Sequence, residues 1–140
     1  MNDEKKEMVN EELVKQIQML IDEKKKRGHR RQHNEDKVSG YALKVIYEAD
    51  GEVNPSDICA AMNVTMPRVT NILNELEEHG FIERTVSKQD RRKTDVHLTA
   101  EGARHVEEHQ KMKYEKTRRL LEKVGPDDAQ ALLRILQAIE

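Results

Sequence analysis

Arg68, Thr70, Asn71 and Asn74 fall on one side of a helical pattern whose other side is apolar. Guanidinium, amide and hydroxyl groups at that spacing offer hydrogen bonds to base edges and phosphates, the chemistry of duplex recognition. A second polar group follows in SKQDRRKTD, where Lys88, Arg91, Arg92 and Lys93 stand against Asp90 and Asp95. Alone, such a loop reads equally well as a solvated hairpin tip. Coming directly after two short helices, it reads as a basic contact to a nucleic-acid backbone or minor groove. Ser56 and Thr65 add hydroxyls at the starts of those helices, where N-terminal backbone amides favour phosphate.

Other chemistry in the chain is incomplete. His105 and His109 are four apart beside Glu107 and Glu108, and His29 and His33 have the same spacing near Glu35 and Asp36. Two histidines on one helix face supply half of a zinc site. A solvated face on a highly charged helix is the favoured reading, so no metal ligands are assigned and no cofactor is expected. The single Cys59 excludes an internal disulfide framework and reads as a small apolar residue on a helix. No glycine-rich phosphate loop, nucleophile elbow or HExxH pattern is present, which argues against an enzyme.

These polar groups are carried by the stretch from Asn54 to Thr99. Asn54 is a helix cap, Pro55 suits the first helical position, and Asp57 favours the first turn. Ile58, Ala61 and Met62 share a face by their spacing, and Asn63 suits a left-handed turn. Thr65 caps a second helix that tolerates Pro67 in its first turn and carries the apolar stripe Val69, Ile72, Leu73, Leu76. Gly80 is placed as a helix stop. Phe81 and Ile82 open one strand, and the alternation of Val96 and Leu98 marks a second, half-buried one. The order is helix, turn, helix, strand, basic loop, strand.

Flanking this core, Val9, Leu13, Ile17, Leu20 and Ile21 form a helical stripe that must pack on another element or another chain. A basic run, Lys24–Arg31, follows it. Tyr41, Leu43, Val45, Ile46 and Ala49 mark a further helix stopped at Asp50-Gly51. After Thr99, a long polar helix runs from Ala100 to Lys123 with sparse apolar positions at Ala103, Val106, Met112, Leu120 and Leu121. Gly125-Pro126 breaks it before a last helix with the apolar face Ala129, Leu132, Leu133, Ile135, Leu136, Ile139. Two apolar terminal helices around a polar strut read as a dimerisation region. The chain has 140 residues, with 37% charged and 3% aromatic, so a small aliphatic core completed by a partner chain is expected. With 25 basic and 27 acidic residues, only the distribution of charge points to nucleic acid. No apolar run reaches membrane-spanning length and no signal-peptide pattern opens the chain, so a cytoplasmic protein with no membrane partner is expected.

The segments TMPRVTNILNELEEHGFIER and DRRKTDVHLTAEG resemble the winged helix of the MarR family of transcriptional regulators. The resemblance rests on the second helix, Gly80, the Asp-x-Arg wing at Asp90 and Arg92, Leu98-Thr99 and Gly102, and spans Gly40 to Glu140. It implies a mainly α fold with a small β-wing, a winged helix-turn-helix domain plus N- and C-terminal helices forming a dimerisation region. The expected division is 1–39 for the N-terminal helix and basic tail, 40–99 for the DNA-binding domain, and 100–140 for the strut and dimerisation helix. It further implies a homodimer on a pseudo-palindromic double-stranded operator, acting as a repressor released by a small effector. Arg68, Thr70, Asn71 and Asn74 are expected in the major groove, and Ser56 and Thr65 at phosphates. Arg92 is expected at the minor groove with Asp90 holding it, supported by Lys88, Arg91 and Lys93. Some members of the family sense zinc through regions matching the histidine pairs, which keeps a zinc-responsive regulator as an alternative. Redox-sensing members carry a cysteine in their first helix, where this chain has none. Tyr41, Tyr47 and Tyr114 are candidates for the family's effector cleft, although tyrosines at such positions are more often core. A winged helix used for protein assembly is the remaining alternative. It would expose apolar or acidic residues where this chain has Arg68, Arg91, Arg92 and Lys93.

Overall fold

The computed structural model describes residues 9–28, 35–50 and 52–139. The helices are α1 (Glu11–Gly28), α2 (Glu35–Glu48), α3 (Pro55–Met62), α4 (Met66–Glu78), α5 (Ala100–Val124) and α6 (Pro126–Ala138). The strands are β1 (Glu52–Val53), β2 (Ile82–Val86) and β3 (Thr94–Leu98), ordered β1-β3-β2 in one antiparallel sheet. The fold is mainly α with a small β-wing, as expected. Two compact units are formed, His29–Glu108 and the combination of Met1–Gly28 with His109–Glu140.

In the first of these, the caps work as the residue types dictate. The Asn54 side chain accepts from Asp57 N at 2.9 Å, and Asn63 closes α3 in the left-handed region at φ 55°. Thr65 Oγ1 accepts from Arg68 N at the start of α4. At the other end of α4, Phe81 N donates to Leu76 O and Gly80 N to Glu77 O, with Gly80 at φ +78°. That pair of bonds is a Schellman stop, and it turns the chain directly into β2.

The core of this unit gathers Val38, Ala42, Leu43 and Ile46 of α2, Ile58 and Met62 of α3, the Val69–Ile72–Leu73–Leu76 stripe of α4, Ile82, Val96 and Val106. Ala61 departs from the expected pattern. It is exposed, because an eight-residue helix has room for only Ile58 and Met62 on its buried side. The sheet also has a strand more than the two expected. Glu52 and Val53 pair with His97 and Val96, a two-residue strand too short to show an alternation.

Thr99 joins sheet to strut. Its hydroxyl donates to Gly80 O at 2.7 Å and accepts from Gly102 N at 3.0 Å, while its own N–H donates to Phe81 O. Gly102 is required by this junction. A Cβ there would collide with the Phe81 carbonyl oxygen and lie 2.8 Å from Leu98 Cδ1. In a helix interior, Gly→Ala ordinarily gains up to about 1 kcal/mol. Here the obstacle is backbone already engaged by Thr99, so overpacking of about 1–3 kcal/mol wins. Gly102→Ala is expected to lower the melting temperature, and a variant melting at or above the parent would contradict this packing.

In the second unit, α1 packs on α6. Val9, Leu13, Val14 and Ile17 are buried with Leu121, Ala129, Leu133 and Leu136. The stripe of the N-terminal helix is therefore covered by another element of the same chain, and Val14 joins it. The coverage is partial. Met19, Met112, Leu120, Val124, Ile135 and Ile139 remain exposed, although Ile135 and Ile139 belong by periodicity to the apolar face of the last helix. Among the described residues, no helix is long and apolar enough to cross a membrane.

Candidate nucleic-acid interface

Helix α4 divides its side chains cleanly. Val69, Ile72, Leu73 and Leu76 are buried, whereas Thr70, Asn71 and Asn74 are exposed and Arg68 is half-buried. Thr70 Oγ1 donates to Met66 O at 3.0 Å, so its hydroxyl hydrogen is committed within the helix and its lone pairs face outward. Thr65 is the reverse case. Its oxygen accepts the capping bond, which leaves the hydroxyl hydrogen available to an acceptor. Ser56 is exposed in the first turn of α3. Arg68 and Asn71 edge an open groove of about 350 Å³ shared with Val38, Ser39, Thr65, Pro67, Ile72 and Glu75. In that groove the Ser39 hydroxyl donates to Glu75 Oε2 at 3.3 Å. Neither Ser39 nor Glu75 stands out in the sequence, because the contact joins helices 36 positions apart.

The tip between β2 and β3 is an ordered turn. Ser87 N donates to Lys93 O and Lys93 N to Asp90 O, both at 2.9 Å. The buried Ser87 accepts from the backbone of Gln89 and Asp90 through Oγ. Asp90 accepts from Arg92 N at 3.0 Å, from Nε at 3.2 Å and from Nη2 at 3.4 Å. The Arg92 backbone N–H first, and its guanidinium second, hold the Asp90 carboxyl below its ordinary value. A carboxylate favoured in this way contributes above the ordinary Asp range, and the contribution is lost as pH falls through the depressed folded value. The Arg92 side chain itself is 90% exposed, so the pair orients the guanidinium without covering it. Lys88, Arg91 and Lys93 are exposed around it. Behind the wing, Arg84 Nε bonds Glu77 Oε2 at 2.7 Å and ties β2 to α4.

The tyrosines divide between the units. Tyr41 and Tyr47 pack on the core of the winged unit, with Tyr47 OH donating to Glu107 Oε1 at 3.1 Å, and this bond raises the Tyr47 pKa. Tyr114 packs on the core of the other unit. His105 stacks on Phe81 with ring centroids 4.6 Å apart. His29 and His33, with most of the basic run Lys24–Arg31, lie outside the described residues or have no described side chains. Among the described residues, the cluster able to hold a metal is a different one, Glu52, Asp95 and His97.

A helix-turn-helix whose second helix keeps a polar face outward, followed by a basic antiparallel wing, defines a winged helix-turn-helix protein. Residues 41–94 match the model of the MarR family. The winged helix of this chain is thus of the MarR type. It is 31% identical over 94 residues to the uncharacterized HTH-type transcriptional regulator YdgJ of Bacillus subtilis, covering 67% of this chain and 57% of that protein. The chain thus spans a little over half the length of that curated relative. Among solved structures, it resembles Streptococcus pneumoniae FabT in complex with DNA at TM-score 0.62 and 29% identity, over 71% of this chain and 68% of that one. It resembles the MepR–DNA complex of S. aureus at TM-score 0.52 and 29% identity, over 71% and 72% of the two chains. The named relatives are transcriptional regulators, not enzymes.

Proposed function

We propose that this chain is a dimeric, sequence-specific DNA-binding regulator of transcription, acting as a repressor that a small effector releases. The observation that carries the DNA reading is the division of α4. Its apolar stripe is buried while Arg68, Thr70, Asn71 and Asn74 stay toward solvent, next to a wing tip of exposed Arg91, Arg92 and Lys93. In this reading Arg68 and the two asparagines meet base edges in the major groove, and Thr70 offers an acceptor to an exocyclic amine. Ser56 and Thr65 donate hydroxyl hydrogens to phosphates at the starts of α3 and α4. Arg92 enters the minor groove with Asp90 setting its direction, and Lys88, Arg91 and Lys93 neutralise phosphates. The DNA complexes of FabT and MepR support the reading at the level of the family.

Selection of duplexes from a random library by the immobilised chain tests this reading. Enrichment of a pseudo-palindrome with half-sites about one helical turn apart is the expected result. A pool that stays random after repeated rounds would sink it and favour the assembly-module alternative.

The dimer is the second part of the proposal. Among the described residues, six large apolar side chains stay exposed in the unit containing α1 and α6, with Met19 at 70% and Met112 at 67%. A second copy covering them would remove that surface from water at roughly 25 cal/mol per Å². Leu120→Glu together with Ile135→Glu is expected to convert a dimer to a folded monomer at micromolar concentration. Both positions are already exposed in the single chain, so helicity and the core are retained. Sedimentation showing an unchanged dimer would place the interface elsewhere.

A further inference from the structure

The sheet that carries the wing has a second face, and its chemistry differs from that of the tip. Asp95 and His97 are two residues apart on β3 and so point to the same side. The register sets Glu52 of β1 directly opposite His97. Val96, between Asp95 and His97, and Val53, next to Glu52, point the other way into the core. One ring nitrogen of His97 and one oxygen each of Glu52 and Asp95 all lie within 4.8 Å of one another. On the far side of β3, Glu83 is opposite His97 and Thr85 is opposite Asp95, so β2 adds a carboxylate and a hydroxyl to this face. Thr85 Oγ1 lies 2.9 Å from His97 Nε2. Among the described residues, no lysine or arginine is paired with Glu52 or Asp95.

We propose that Glu52, Asp95 and His97 form a binding site for a first-row divalent cation, with Zn²⁺ as the probe. An imidazole nitrogen with two carboxylate oxygens is a ligand set for such ions. Bonds of about 2.0–2.2 Å to three ligands on a tetrahedral ion place the ligand atoms about 3.4 Å from one another. Side-chain rotations at Glu52 and Asp95 would have to close the remainder of the 4.8 Å spread. Glu52 is exposed and the other two are half-buried, so water completes the coordination. The bond between Thr85 and His97 Nε2 holds the ring, the kind of outer partner that orients a ligating imidazole. The bound ion also brings a positive charge to two carboxylates that no described lysine or arginine pairs with. Because Glu52 precedes α3 and His97 lies on the wing strand, the ion would fasten β1 to β3 at the root of the wing.

This site is separate from the His105 and His109 pair, which makes the test decisive. Titration calorimetry of the full chain with Zn²⁺, in the absence of DNA, should show one site per chain. Glu52→Gln and His97→Ala should each weaken it by about tenfold or more. Zn²⁺ should raise the melting temperature of the parent and raise that of Glu52→Gln less. Glu52→Gln is nearly isosteric on an exposed position, so it reports on the ion even if His97→Ala disturbs the sheet. The paired variant His105→Ala/His109→Ala should bind Zn²⁺ as the parent does. A parent that binds no Zn²⁺, a Glu52→Gln variant that binds it undiminished, or loss of binding in His105→Ala/His109→Ala would each overturn the assignment.

Discussion

Arg68→Ala is expected to weaken binding to the selected duplex by about 1–3 kcal/mol per half-site, roughly five- to 150-fold. Arg68 is half-buried at the mouth of the groove beside Asn71, so its guanidinium is held near the surface of α4 without filling the core. Losing it removes a directional donor pair, and base preference at the contacted position should relax. Arg92→Ala is expected to act differently. That side chain is held by Asp90 and otherwise exposed, so it supplies charge at a fixed place. Its loss should weaken binding to all sequences and flatten the dependence of log K on log salt by about one unit per cation removed. Neither change touches Val69, Ile72, Leu73 or Leu76, so both variants should melt as the parent does. Two folded variants that bind like the parent would remove α4 and the wing tip from the DNA contact.

The largest effect on stability is expected at Leu73. It is 2% exposed and lies in the core shared by α2, α3, β2 and β3. Leu73→Ala should cost about 2–5 kcal/mol, the transfer term of the lost methyl groups plus the cavity they leave. The loss falls in the unit that holds the recognition helix, so DNA binding should disappear with the fold, in contrast to Arg68→Ala. Chemical denaturation with an unchanged midpoint would show that α4 does not build this core.

These expectations rest on features of unequal visibility in the sequence. Helices α3 and α4 are legible because their ends are written in local chemistry: Asn54, Asn63, Thr65 and Gly80 each act within a few residues of themselves. The outward set on α4 is legible for the same reason, since a buried stripe fixes the opposite face. The wing turn is half legible. The pairing of Asp90 with Arg92 spans two positions, but Ser87, which braces the turn, carries no distinguishing pattern. What depends on register or on distant packing is hidden. Strand β1 has two residues, and the approach of Glu52 to His97 follows only once it is aligned on β3. The burial of α1 against α6 brings the two terminal regions together, and periodicity indicates only that each stripe requires a cover. Ala61 shows the converse limit: spacing assigns a face, and the length of the helix decides how much of that face is used.

A hydroxyl-radical footprint of the chain on the duplex it selects, read on both strands, tests DNA recognition by this face. Two symmetric sets of protected sugars about 34 Å apart are expected, one per recognition helix, with flanking minor-groove protection that Arg92→Ala removes. Protection confined to a single half-site at saturating protein would contradict the dimeric reading. Uniform cleavage along the duplex under conditions where the chain is folded would contradict DNA recognition by this face altogether.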